Sequence, residues 1–325
     1  MGIRGLAGFL RWRTPHARRP IQWNSHSGER WAVDCSCILY RARGANLSVL
    51  TVVASLIVRM RRANIDPVFI FDGRTPAAKT ETVEKRREVR TAVKQEIAAI
   101  KAELAVPAEY TTSTIADKEA RVAELQAKVP QITSRDRDDI KKFLYSAGVL
   151  FVTATGEADD LLGFLARTGQ VSAVVSTDMD MLARGIRLLV QPETPDTTVL
   201  TELSLDGVLT RLGVTYTQFV DACMRMGSDY TPHEIRTMPP QMAITAVQHG
   251  EVLPLTDPFI AMMDSGAALL RGDGVTWEDL LVDVQREKWA AGAPAVEMES
   301  LSSYCLDNMW PMDWRRALSR EDASV

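Results

Sequence analysis

Arg30-Trp-Ala-Val-Asp34 is a short apolar run that ends on a carboxylate, and the same pattern returns along the chain. Pro67-Val-Phe-Ile-Phe-Asp72 is a second such run. Val149-Leu-Phe-Val152 precedes Gly156-Glu157-Ala-Asp159-Asp160, and Val171-Ser-Ala-Val-Val-Ser176 leads into Thr177-Asp178-Met-Asp180. Helical periodicity lies between the early runs, as in Leu50, Val53, Ala54, Ile57 and Met60 within residues 49–63. The alternation predicts an α/β fold with a mostly parallel central sheet flanked by helices. Ligands of such sheets bind at the carboxyl ends of the strands. Acids from several strands would therefore converge on one place, and such a cluster repels itself unless cations sit in it.

Composition sets the outer bounds. The 325 residues suffice for a core and more than one structural unit. Apolar content of 46% and charged content of 25% are ordinary for a globular chain. The net charge of −4 counts mildly against a nucleic-acid binder, but the acidic cluster itself accounts for the deficit. Cys35, Cys37, Cys223 and Cys305 lack zinc-site spacing and read as reduced thiols. No apolar run reaches the roughly 20 residues of a membrane span, and no long apolar segment follows Arg4, Arg11 and Arg13 as a secretory signal would require. The expected setting is reducing and intracellular, without a membrane.

The organisation changes after Asp72. Residues 79–104 are densely charged and helical in pattern, 106–114 break that pattern, and 117–129 resume it. The prediction is a helical insertion over 73–139, between core regions 1–72 and 140–202. Residues 191–198 read as a loop, and 203–325 as a mostly helical C-terminal region with a poorly periodic end. The charged pair alone would be a solvated hairpin laced with i,i+4 ion pairs.

Taken singly, Asp34 or Asp72 reads as a helix cap or turn residue, Asp178-Met-Asp180 as an Asx turn, and Glu157 with Asp160 as helix N-terminal charges. Taken together they point to divalent metal. Asp34, Asp72, Glu157, Asp159, Asp178, Asp180 and Asp229, with Asp160 as a further candidate, outweigh the charge of two such ions. Some would then hold metal-bound water, which suits Mg²⁺. Two ions roughly 3.5–4 Å apart serve phosphodiester hydrolysis. Lys79, Arg86 and Arg87 supply cations that offset repulsion of substrate phosphate, and Lys79 and Arg86 lie two helical turns apart.

These residues resemble the flap endonuclease/XPG family of metal-dependent 5′ nucleases, from Met1 to about Tyr230. Met1-Gly2-Ile3-Arg4-Gly5-Leu6 is similar to the family's amino-terminal motif, in which the chain start lies against substrate. Asp34-Cys-Ser-Cys-Ile-Leu-Tyr40 resembles the first acidic motif, with Tyr40 at the position of a base-stacking aromatic. Phe69-Ile-Phe-Asp72-Gly73, Glu157-Ala-Asp159-Asp160, Thr177-Asp178-Met-Asp180 and Met226-Gly-Ser-Asp229-Tyr230 resemble the remaining acidic motifs. Lys79 and Arg86 fall on the catalytic basic positions of the family's helical gateway.

The resemblance implies a PIN-like nuclease core, an inserted arch, and a helical C-terminal region. It implies two Mg²⁺ ions, with Mn²⁺ able to substitute. The expected activity is monomeric cleavage of DNA bearing a 5′ flap or free 5′ end, in replication, repair or recombination. The setting would be the nucleus for a cellular protein, or the nucleus or a cytoplasmic replication site for a viral one.

The chain also departs from the family pattern. In the helix-hairpin-helix expected near 219–249, Ile235-Arg-Thr-Met-Pro-Pro-Gln-Met-Ala243 lacks both turn glycines, and Pro239 lacks an N–H for a phosphate. No sliding-clamp peptide is recognisable. Helix geometry pairs Glu157 with Asp160, whereas the family pattern pairs Glu157 with Asp159, and both remain candidates. A 5′→3′ exoribonuclease or mRNA endonuclease of the same superfamily is the alternative reading. A nucleic-acid-binding protein without catalysis is the third.

Overall fold

The structure, a computed structural model, describes residues 2–73, 80–105, 112–154, 156–227 and 237–250. Seven strands form one sheet: β1 (Arg18–Pro20), β2 (Arg30–Asp34), β3 (Asp66–Phe71), β4 (Leu150–Thr153), β5 (Ala173–Val175), β6 (Leu188–Pro192) and β7 (Leu200–Ser204). Their order is β1-β7-β6-β5-β2-β3-β4. The pairs β2/β3, β3/β4, β2/β5 and β5/β6 are parallel, and β6/β7 and β1/β7 are antiparallel. The sheet is thus mostly parallel, as the apolar runs predict.

Each central strand buries both faces, which is why its sequence is continuously apolar. Trp31, Val33, Phe69, Phe71 and Phe151 join one core. Ala32, Val68, Ile70 and Val152 join the other. The helices α2 (Cys35–Gly44), α3 (Val49–Arg62) and α6 (Ser134–Ser146) cover the first face through Ile38, Leu56, Ile57 and Phe143. The second face takes α1 (Leu6–Arg13), α7 (Ala158–Arg167), α8 (Asp180–Ala183), α9 (Leu205–Leu212), α10 (Tyr216–Met226) and α11 (Pro240–Gln248). The helices α9, α10 and α11 therefore share the core of the sheet.

Local signals set the helix starts. Asp34 caps α2, accepting from the Cys37 N–H at 3.0 Å. Thr133 with Asp136 and Thr215 with Gln218 form capping boxes on α6 and α10.

Two long helices, α4 (Thr80–Ala105) and α5 (Thr112–Lys128), are inserted between β3 and β4. Lys118 pairs with Glu103 at 2.8 Å and Arg121 with Glu96 at 2.9 Å, so the two helices run antiparallel. These ion pairs cross between helices, and Arg121 also pairs within α5, with Glu124 at 2.9 Å, at i,i+3 rather than i,i+4.

Three expectations need correction, and one strand was not anticipated. Helix α5 begins at Thr112, inside the stretch 106–114 read as a break. Gln191 and Pro192 belong to β6, not to a loop. Leu203 and Ser204 end β7, so the C-terminal part does not open as helix. Arg18–Pro20 forms an edge strand that no apolar alternation announced, since only Arg18 is even half-buried. No helix among the described residues is long and apolar enough to cross a membrane. The residues from 251 onward, and 228–236 between α10 and α11, lie outside the described part.

Candidate active site

From β2 the chain runs through β3 and β4 on one side, and β5 then returns to the other side of β2. Connections leave β2 and β5 in opposite directions, which opens a crevice at their carboxyl ends. Asp34 is the last residue of β2, and Ser176, Thr177 and Asp178 follow β5. Asp72 follows β3, and Glu157 is the N-cap of α7 after β4. The Gly73 N–H donates to the Gly156 carbonyl at 2.8 Å and joins the last two segments.

Hydrogen bonds tie the acids together. The Ser176 hydroxyl donates to Asp34 Oδ2 at 2.8 Å and accepts from the Asp178 N–H at 3.1 Å. Asp178 Oδ1 accepts from the Asp180 N–H at 2.9 Å. Asp72 Oδ1 accepts from the Ala158 N–H at 2.9 Å, and its Oδ2 accepts from the Ser36 hydroxyl. Cys37 Sγ accepts from the Thr177 N–H at 3.1 Å, a second link between α2 and the segment after β5.

The electrostatics agree with that arrangement. Burial pushes the Asp34 carboxyl up to about 7, the hydrogen bonds from Cys37 and Ser176 oppose the rise, and the charges of Asp72 and Asp178 add to it. Burial likewise pushes the Cys37 thiol up to about 12, with Asp34 contributing. That thiol is protonated at neutral pH and unreactive.

The chain start closes the site. Gly2 sits at φ +89°, and the Ile3 N–H donates to Asp180 Oδ1 at 2.6 Å. A Cβ at Gly2 would lie 2.6 Å from Asp180 Oδ1 and 2.9 Å from Asp178 Oδ1. Those two oxygens therefore flank one point that only a glycine leaves open. The Arg4 N–H bonds the Gly227 carbonyl at 3.0 Å, anchoring the segment to the end of α10.

On α7, Asp159 and Asp160 both lie in the first turn. Asp160 Oδ1 pairs directly with Arg184 Nη1, while Asp159 Oδ2 is 3.9 Å from Arg184 Nη2. Tyr40 is half-buried on α2, and Arg87 is exposed on α4. Lys79 and Asp229 lie outside the described residues, as does the side chain of Arg86 within α4.

Among the described residues, no three carboxylate, histidine or cysteine side chains converge closely enough to hold one ion between them. The charges of Asp72 and Asp178 nonetheless both act on Asp34, and Asp178 and Asp180 share the Gly2 point. Mg²⁺ keeps several waters and is bound through one or two carboxylates, so an open set of hard oxygens fits it. Sequence reasoning missed Ser176, Ser36, Cys37 and Arg184 as partners of the acids. Ser176 carried a faint signal, a polar residue closing an apolar run.

The fold and site define an α/β protein with an acidic crevice at the carboxyl edge of its sheet. The chain matches the XPG N-terminal domain over residues 1–93 and the XPG I-region over 148–229. Flap endonuclease 1-A of Sorghum bicolor is 31% identical over 272 residues, covering 78% of this chain and 68% of the relative. Flap endonuclease 1 of Bos taurus is 28% identical over 265 residues, covering 76% of this chain and 66% of the relative. The chain thus spans about two thirds of the length of such relatives. The fold is also that of the catalytic core of Rad2 in complex with DNA substrate, with a TM-score of 0.55 at 17% identity, covering 99% of this chain and 87% of that one. Flap endonuclease-1 from Methanococcus jannaschii gives 0.54 at 20% identity and 94% coverage of both chains. The chain belongs to the flap endonuclease/XPG family.

Proposed function

We propose that the chain is a structure-specific, divalent-metal-dependent 5′ nuclease that hydrolyses DNA phosphodiesters at a 5′ flap or free 5′ end. The observation that carries the reading is the link from Asp34 through Ser176 to Asp178, which places carboxylates of β2 and β5 on either side of the sheet's switch point. Asp34, Asp72, Asp178 and Asp180 would hold Mg²⁺, with Glu157, Asp159 and Asp229 completing the set. Bound ions would supply charge neutralisation and an activated water for the hydrolysis.

The chain's own groups do the rest. The Ser176 hydroxyl and the Cys37 N–H fix the orientation of Asp34 and favour its ionised form against burial. Gly2 lets the backbone lie against Asp178 and Asp180, where any side chain would press on their Oδ1 atoms. Lys79 and Arg86 would offset the charge developing on the scissile phosphate. Tyr40 would stack on a base, and Arg87 would track the backbone.

The test is cleavage of end-labelled 5′-flap DNA beside matched 5′-monophosphate RNA, in Mg²⁺ and then Mn²⁺, with Asp180→Ala as control. Flap-length DNA product, lost in the control, supports the proposal. RNA degradation with the flap intact would move the chain to the ribonuclease reading. Inactivity on both would leave a binding role.

A further inference from the structure

Arg184 is 2% exposed and sits at the end of α8, four residues beyond Asp180. Its N–H donates to the Asp180 carbonyl at 3.1 Å, and its carbonyl accepts from Arg167 Nη1 of α7 at 2.6 Å. A Cβ at Gly163 would come within 3.1 Å of Arg184 Cβ, so α7 carries a glycine where this arginine packs against it. The guanidinium then reaches the first turn of α7, where it finds two adjacent carboxylates at unequal distances. A buried guanidinium requires a counter-ion. Asp160, with a side chain 12% exposed, takes the direct contact. Asp159, at 23%, stays 3.9 Å away and more open to the crevice.

We propose that Asp160 is the counter-ion that holds Arg184 off Asp159, leaving Asp159 as the α7 first-turn carboxylate that serves the metal. Arg184 is then a positioning residue that fixes the acid-bearing turn of α7 against the acid-bearing start of α8. The assignment rests on the nuclease reading above. It gives the two neighbouring aspartates opposite tasks, and it predicts a coupling whose sign differs from that of a shared ligand set. Without Asp160, the buried guanidinium turns to Asp159 and withdraws it from the metal. Without Arg184 as well, Asp159 is released again.

The experiment is Mn²⁺ titration of the full chain, followed by calorimetry and by water-proton relaxation, for Asp159→Asn, Asp160→Asn, Arg184→Met and the pair Asp160→Asn/Arg184→Met. Thermal melting of each variant checks folding, and Arg184→Gln replaces Arg184→Met if the apolar variant does not fold. Asp160→Asn is expected to weaken Mn²⁺ binding ~10-fold, as loss of a supporting partner does, and the double variant to recover to within about threefold of wild type. Asp159→Asn alone is expected to weaken Mn²⁺ binding at least as much as Asp160→Asn. A double variant as weak as Asp160→Asn would overturn the assignment and make Asp160 a ligand. Absence of Mn²⁺ binding by the wild-type chain would overturn the nuclease reading, and this assignment with it.

Discussion

The Ser176 hydroxyl at the end of β5 donates to Asp34 Oδ2 at 2.8 Å while accepting from the Asp178 N–H at 3.1 Å. One buried oxygen thus spans the switch point and fixes two of the candidate metal-holding acids relative to each other. Replacing Ser176 by alanine removes a donor from Asp34 and an acceptor from the Asp178 amide. A buried polar group left without its partner costs about 1–3 kcal/mol. Urea denaturation of Ser176→Ala should show a loss of that size, and Mn²⁺ titration should show weaker binding. Wild-type values in both measurements would mean the bridge is idle.

Gly2 gives a sharper prediction, because it tests geometry without touching a charge. Its φ of +89° disfavours any L side chain, and a Cβ would press on Asp180 Oδ1 at 2.6 Å. Gly2→Ala must displace either the chain start or the carboxylate. Ångström-scale misplacement of reacting groups costs ~10²-fold in rate. Flap cleavage by Gly2→Ala should fall by about that factor, with a cooperative thermal melt showing that the variant still folds. Cleavage at the wild-type rate would show that the chain start does not shape the site.

The central strands were legible because burial on both faces leaves a continuous apolar signature, as in Trp31-Ala-Val33 and Val68-Phe-Ile-Phe71. Asp34 and Asp72 were legible because each closes such a run. The edge strand β1 and its neighbour β7 were not. Arg18–Pro20 is polar and mostly exposed, and in β7 a buried Glu202 interrupts the apolar pattern. The tie from Ser176 to Asp34 spans 142 positions and that from Arg184 to Asp160 spans 24. Spacing rules reach along one helix or strand, so pairings made by topology escape them.

That same edge supplies a stability test. Glu202 is 1% exposed on β7, where Arg19 of β1 pairs with Oε1 and His26 Nε2 lies 2.8 Å from Oε2. Removing Glu202 takes the partner away from the buried His26 Nε2, and a buried polar group left without its partner costs about 1–3 kcal/mol. Glu202→Ala should lower stability by about that amount and free β1 from β7, measurable as faster amide exchange at Arg19. Arg19 is itself mostly exposed, so Arg19→Ala should cost far less. Equal losses in the two variants would contradict the burial argument.

Glu29 sits at the opposite edge of the sheet from the acids, just before β2. Burial tends to raise its pKa, but hydrogen bonds from the Trp31 indole, the Ser172 hydroxyl and His26 outweigh that and hold it below its ordinary value. A carboxylate depressed in the folded state binds fewer protons there than when unfolded, so stability rises with pH across that window. The contribution is complete above the unfolded value of 4.5 and is lost as pH falls through the lower folded value. Glu29→Gln cannot titrate, so the wild type should exceed it in stability at about pH 7, and the gap should narrow towards about pH 3. Chemical denaturation of both proteins across that range measures the gap directly. A gap that stays constant with pH would mean that the Trp31 and Ser172 bonds do not depend on the charge of Glu29.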